Sequence, residues 1–355
     1  MDEPQATSGA AAAAMTEPVP DVDGNAIVDI ATPAFLAAGN PRPVVQATIA
    51  AARRGDAATL ALVLETQGST YSHAGAMALF ASAMQEGWLS GGCLEPELAR
   101  RAAQAAAEGR VEWIEIDTRD DAHLFSGSAL GCRGRLRIAL LPLAAMPHVD
   151  ALLEAWLAGG VPLQRVLTGD GHVALQAGDL AETWQLPTSR PEWAPDAHGW
   201  SLPLAPMPEV LVLGAGPETP ALLDLLRDLG WRTSLAEARE RWRDAFAHAD
   251  MQYESVSEAL RQQQRYAAAL VMHHSFERDR DALDMLAATP IPFIGLLGPP
   301  RRRDDLFKLL TSSRCAALKP RLHAPVGLDL GGQGPEAIAL SIAAQLQAWR
   351  AQAGA

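Results

Sequence analysis

Cysteine is scarce in this chain. Three residues, Cys93, Cys132 and Cys315, are too few and too scattered for a disulfide framework or a four-thiolate zinc site. The odd count fits a reducing cytoplasm, which is the expected location. Long apolar runs are missing too: none reaches the roughly 18 residues that a membrane span requires, so no membrane partner is expected. Basic residues are outnumbered, 29 Lys and Arg against 42 Asp and Glu, for a formal net charge of -13. Neutralising phosphates takes clustered Lys and Arg, so this balance argues against a general nucleic-acid binder. Periodicity is absent from the start, where residues 1–41 are rich in Ala and Pro. With no basic stretch ahead of an apolar core, that segment is expected to be a disordered leader rather than a signal peptide.

What is present is an ordinary globular composition, 48% hydrophobic and 20% charged, over 355 residues, enough for two cores. The first half is organised around the stretch from Glu65 to Pro96. An apolar run, Leu60 to Leu64, is short and bounded by turn signals, which predicts a buried strand. A polar loop follows, carrying Glu65, Gln67, Gly68 and Ser69 and closing at Gly75-Ala76 before a second apolar segment. Then Gly91-Gly92-Cys93-Leu94-Glu95 sets a thiol beside a carboxylate, with strong helix formers from Pro96 to Ala107. That order puts the glycine–cysteine turn at a helix N-terminus, where free N–H groups and the macrodipole favour anions. A thiol there suits metal contact or sulfur handling, against the plainer reading of a small packed residue. For Glu65, Gln67 and Ser69 the plainer reading is a turn that satisfies its own N–H groups. A second glycine–cysteine loop, Gly131-Cys132-Arg133-Gly134, runs into a strand from Arg135 to Leu141, and both loops are placed to line one pocket.

The segment from Leu186 to Pro208 is rich in Pro and Trp and is expected to end in a domain linker. Its Trp residues, with Trp184, are assigned to packing or to a partner surface without preference. Beyond it, Val210 to Leu213 predicts a strand running into Gly214-Ala215-Gly216, followed by a helix and by a strand from Arg232 to Ala236 that ends at Glu237. Strand, GxG turn, helix, strand and acid is the dinucleotide-binding order, in which the helix start holds a pyrophosphate and the acid a ribose. Thr219 stands where the fingerprint has its third glycine. His274 follows a further strand, at the end where ligands meet an open parallel sheet, with Asp279 nearby. Arg301 and Arg302, in a run of three arginines at a helix start, make an anion clamp or else a solvated helix face.

These motifs together resemble the XdhC/CoxI family of xanthine dehydrogenase accessory proteins. The resemblance rests on Glu65 to Ser69 with Gly75-Ala76, Gly91 to Glu95, and Gly131 to Gly134. It continues through Gly214 to Gly216, Glu237-Ala238-Arg239, His273-His274 with Asp279, and Gly298 with the arginines. It implies an α/β chain with an N-terminal XdhC/CoxI-type domain over residues 42–205, its linker at the end. A Rossmann-like domain with a doubly wound parallel sheet follows over 206–355. It further implies a cofactor chaperone, not an enzyme, that binds molybdenum cofactor (molybdopterin) and assists its sulfuration and insertion into a molybdenum hydroxylase. A cysteine desulfurase and a second copy of the chain are the other implied partners. The cofactor-binding candidates are Glu65, Gln67, Gly68, Ser69, Gly91, Gly92, Cys93, Glu95, Cys132, Gly214, Gly216, Glu237, His274, Arg301 and Arg302. Cys93 is the candidate molybdenum contact. The alternative, carried by Gly214 and Glu237, is an NAD(P)-dependent oxidoreductase.

Overall fold

A computed structural model of the chain describes residues 27–29, 39–82, 84–119, 133–189, 191, 193 and 199–353. Elements are numbered in chain order. Strand β1 (Ile27–Asp29) lies inside the expected leader, whose residues 1–26 and 30–38 are outside the described residues. Helix α1 (Arg42–Arg54) buries Val44, Val45, Thr48, Ile49 and Ala51, the spacing of one helix face, and ends at Gly55 in the left-handed conformation. Strands β2 (Ala58–Gly68), β3 (Met77–Ala81) and β4 (Met84–Glu86) precede helix α2 (Glu95–Glu108), and β5 (Glu112–Asp117) and β6 (Gly134–Pro142) complete an antiparallel sheet of order β4-β3-β2-β6-β5.

Strand β2 runs through the middle of that sheet and is covered on both sides. Ala61 and Val63 pack with Leu98, Ala102 and Ala105 of α2, while Leu60, Leu62 and Leu64 face the cluster built from α1 and from α3 (Val149–Leu157). A strand buried on two faces needs no polar alternation, which is why Leu60 to Leu64 is continuously apolar.

A second sheet holds β7 (Leu163–Thr168), β8 (His172–Ala177), β9 (Leu180–Gln185) and β10 (Gly199–Ser201), in the order β1-β10-β7-β8-β9. The Pro- and Trp-rich segment of residues 186–208 enters this sheet before its end reaches β11 (Glu209–Leu213). Those residues contribute β10, and Trp200 is fully buried in the same core as α1 and α3. Trp113, Trp193 and Trp200 stand 5.5–6.3 Å apart, with the Arg137 guanidinium 4.6 Å from the Trp193 ring. Packing therefore accounts for the tryptophans there.

The remaining elements form one parallel sheet. Strands β11 (Glu209–Leu213), β12 (Arg232–Ala236), β13 (Met251–Tyr253), β14 (Tyr266–Val271), β15 (Phe293–Leu296) and β16 (Leu322–His323) take the order β13-β12-β11-β14-β15-β16. Helices α4 (Thr219–Asp228) and α9 (Pro335–Ala353) cover one face and α6 (Phe276–Leu286) the other; α5 (Val256–Ala259), α7 (Pro300–Phe307) and α8 (Ser312–Leu318) fill the remaining crossovers. Counted within this sheet the order is 3-2-1-4-5-6, the doubly wound Rossmann topology, which reverses direction between β11 and β14. In such sheets ligands bind at the reversal, outside the carboxyl ends of the strands.

The first half docks at the opposite edge. Asn40 Nδ2 donates to the carbonyls of Arg227 and Asp228 at the end of α4, at 3.1 and 3.0 Å, and Arg42 forms a two-pronged ion pair with Asp250 just before β13, at 2.9 and 2.5 Å. These contacts lie at the amino-terminal edge of the parallel sheet. No described helix is long and apolar enough to cross a membrane.

Candidate functional site

The expected site residues fall into two clusters. In the first, β2 carries the chain out of the sheet to Gly68, whose φ is 75° and where an added Cβ would stand 2.5 Å from the Arg133 carbonyl; only glycine fits that crossing. Ser69 N–H donates to the same carbonyl at 3.1 Å. Beyond it, Ser69, Thr70 and Tyr71 line a cavity of about 30 Å³ together with Cys93, Thr118 and Gly134. The polar loop and the glycine–cysteine turn thus meet, as the sequence suggested, and buried Ser72 fastens them by donating its hydroxyl to the Leu89 carbonyl at 2.8 Å. Cys93 is exposed and free. Cys132, which should enter from the second glycine–cysteine loop, lies outside the described residues.

Tyr71 also lines a larger open groove of about 560 Å³ with His73, Met77, Glu86, Trp88 and Asn40. Tyr71 and Trp88 are each 60% exposed, unusual for rings of that size beside a cavity. Sequence reasoning passed over Trp88 and read Tyr71 only as part of a polar loop. The signal was there, in two aromatics flanking the glycine-bounded segment.

The turn that leads into α2 is held from within. Glu95 is buried and takes the N–H groups of Leu89 and Ser90 at 3.1 and 2.8 Å, as well as the Ser90 hydroxyl. The Ser90 oxygen in turn accepts from Gly92 and Leu94 N–H, both at 3.1 Å. Burial pushes the Glu95 carboxyl up, but these hydrogen bonds outweigh it and hold its pKa below the ordinary value. The helix start therefore carries its own anion, and Glu95 shapes the turn that presents Gly91, Gly92 and Cys93. Glu65 and Gln67 are committed elsewhere. Glu65 joins the two sheets of the first half by accepting from Arg137 at 2.9 Å and from the Trp200 indole at 2.7 Å, and Gln67 accepts from Arg119 at 2.6 Å.

The second cluster stands at the reversal of the parallel sheet. Gly214 and Gly216 follow β11, Glu237 and Arg239 follow β12, His273 and His274 follow β14, and Arg302 lies in α7 after β15. Glu237 is buried and accepts from Ala215 N–H at 2.7 Å, from Arg239 N–H at 2.7 Å and from the Arg239 guanidinium at 2.8 and 2.6 Å. Arg239 also reaches the carbonyls of Ala215 and His273 at 2.7 and 2.9 Å. Burial alone would raise the Glu237 pKa; the bonds from Arg239 and Ala215 bring it below the ordinary value. Asp279, fully buried, accepts from His273 N–H at 3.1 Å and from Arg302 at 2.6 Å. His274 pairs through Nε2 with buried Glu218 at 2.8 Å, and that hydrogen bond raises the His274 pKa against the opposing effect of burial. Arg302 is therefore tied to Asp279, while Arg301 is exposed at the start of α7. Glu218 went unnoticed in the sequence because a single Glu at a helix start is common.

The two clusters are not brought together within one chain. The expectation that the Cys93 turn faces His274 and the arginines is corrected: the first half meets the amino-terminal edge of the parallel sheet, through Arg42 and Asn40, whereas the second cluster sits at its carboxyl-terminal edge. Among the described residues, no group of three or more His, Cys, Asp or Glu is placed to hold a metal ion.

Comparison with known proteins matches both halves. The model described as the XdhC Rossmann domain matches residues 210–346, and that of the XdhC and CoxI family matches residues 51–117. A Bacillus subtilis protein named as a probable xanthine dehydrogenase subunit is 25% identical over 313 residues, covering 81% of this chain and 92% of that one. An uncharacterized protein of Escherichia coli, YqeB, is 41% identical over 71 residues, 19% of this chain and 13% of its own length. A solved structure described as a xanthine dehydrogenase from Bacillus halodurans superposes with a TM-score of 0.71 at 25% identity, covering 87% of this chain and 96% of that one.

Proposed function

Since the chain belongs to the XdhC and CoxI family, we propose that it is an accessory protein of a xanthine dehydrogenase-type molybdenum hydroxylase, binding molybdenum cofactor and assisting its sulfuration and insertion. The observation that carries this reading is the groove of about 560 Å³ with two exposed rings, Tyr71 and Trp88, sharing Tyr71 with the small cavity beside the free Cys93. A volume of that size suits a small-molecule cofactor, and the donor set fits the group. The rings offer faces for a pterin to stack on, Ser69, Thr70 and His73 supply polar contacts, and a thiolate is a soft ligand for a metal. When bound, the cofactor supplies the molybdenum and its sulfur ligands. The chain's residues hold and orient it in a groove open to a client.

In this reading the chain is a maturation factor and not itself an enzyme, and it works in the cytoplasm. The molybdenum hydroxylase is the client, a cysteine desulfurase supplies sulfur, and two copies of the chain associate. The test is metal and pterin analysis of protein made in a cofactor-producing host. Molybdenum and pterin are expected to copurify with the unaltered chain, and to be lost from Cys93→Ser and from Tyr71→Ala/Trp88→Ala although these fold normally. A folded, unaltered chain that takes up no cofactor when offered it would sink the proposal.

A further inference from the structure

In a Rossmann-type domain the turn after the first strand holds a dinucleotide's pyrophosphate with N–H groups of the turn and of the helix start. Here those groups are taken from within. Ala215 N–H donates to Glu237 at 2.7 Å and Gly216 N–H to the Thr219 hydroxyl at 2.9 Å. Glu218, next to the start of α4, places a buried carboxylate at the helix end whose macrodipole favours negative charge, so the chain supplies the anion there. The glycines make room for the chain as well. An added Cβ would lie 2.5 Å from His273 Cα at Gly214, and at Gly216 2.6 Å from His274 Nε2 and 2.8 Å from Glu218 Oε1. Glu237 stands where a ribose-binding acid would, but both its oxygens already accept bonds from Ala215 and Arg239. The residues do not fit a dinucleotide.

His274 stands at this same carboxyl-terminal edge of the sheet. His274 has φ 55°, a left-handed conformation that is unfavourable for a non-glycine residue and persists only where its surroundings impose it. Its side chain is 47% exposed, whereas that of its partner Glu218 is 3% exposed. A buried carboxylate gripping one nitrogen of a half-exposed imidazole orients the ring and favours its charged form. Of the other charged groups near it, Asp279 and Arg302 already hold one another.

We infer that Glu218, Thr219 and Glu237 close this crevice to dinucleotides, and that His274 instead receives a ligand bearing a single oxyanion, a phosphate monoester or a carboxylate. This site is separate from the Cys93 groove, which belongs to the other half of the chain, so failure of either reading leaves the other standing.

The test uses the full chain. Titration with NADH and with FAD, followed by fluorescence, is expected to give no saturable response. In histidine-labelled protein the His274 resonance, identified by its absence in His274→Ala, is expected to shift saturably with inorganic phosphate or with acetate; whichever probe acts distinguishes the two ligand sources. Glu218→Gln, which removes the charge but keeps the side chain's size, is expected to weaken that response severalfold. Restoring the glycine fingerprint with Glu218→Ser/Thr219→Gly is expected to create a response to NADH. Saturable binding of NADH or FAD by the unaltered chain, or the lack of any His274 response to both anions, would overturn the inference. An opened variant still blind to NADH would overturn the assignment of the closure to these side chains.

Discussion

Replacing Glu237 with Ala separates the two roles an acid can play at the end of β12. If it were held in reserve for a ribose, its loss would leave the folded chain unaffected. In the structure its carboxylate is fully buried and fastens the glycine turn, β12 and the base of β14 through Ala215, Arg239 and, by way of Arg239, His273. Its removal leaves the Arg239 guanidinium, 14% exposed, without its counter-ion, and the Ala215 N–H without an acceptor. Breaking a buried pair in this way costs about 3–5 kcal/mol, and the orphaned N–H falls within that sum because the two losses share one carboxylate. That is a large fraction of the roughly 5–15 kcal/mol that holds a domain folded. The assay is denaturant unfolding followed by circular dichroism. Glu237→Gln keeps the shape and one acceptor oxygen and should lose less, about 1–3 kcal/mol. The pH dependence follows from the depressed carboxyl. Its contribution is fully present above the unfolded pKa and is lost as pH falls through the folded one, so the Gln variant should lack that acid-side loss. An Ala variant within about 0.5 kcal/mol of the unaltered chain, the range of an ordinary surface change, would refute the reasoning.

Gly214→Ala should destabilise by about 2 kcal/mol or more, read as a lowered denaturation midpoint, because φ is 87° and the new Cβ would press on His273 backbone and ring. The His274 resonance should titrate above an ordinary histidine and return toward it in Glu218→Gln. With a raised folded pKa, the stability this pair contributes is fully present below the unfolded pKa and fades as pH rises through the folded one. Arg42→Ala should loosen the junction between the halves by about 1–3 kcal/mol, since it strips a mostly buried partner from Asp250, and limited proteolysis at the junction should accelerate.

Much of the architecture was legible in the chain itself. The strand from Arg232 to Ala236 falls where the apolar pattern put it, and the alternation of strands, glycine turns and helices beyond Glu209 already implied a parallel, doubly wound sheet. The meeting of the Ser69 loop with the Cys93 turn was legible too, because both flank elements of one small sheet. The second sheet, β7 to β10, was blurred, since its short hairpins and the Trp-rich return carry little signal; burial of Trp200 against α1 and α3 is what makes β10 part of a core.

Local choices follow from the order of residues alone: periods, caps, glycines at positive φ, and the succession of elements. Those depend on neighbours a few residues apart. Which groups those glycines and helix starts serve is settled only by folding. Glu95 and Ser90 take the N–H groups of the turn before α2, and Glu237 and Thr219 those of the dinucleotide turn. Arg42 and Asn40 tie the first half to the far edge of the parallel sheet. A polar group chooses its partner by position in three dimensions, and a buried N–H or carboxylate must be satisfied by whatever folding brings within reach. So the same glycine pattern that announces a nucleotide site in the chain becomes, once folded, a seat for His273, His274 and Glu218.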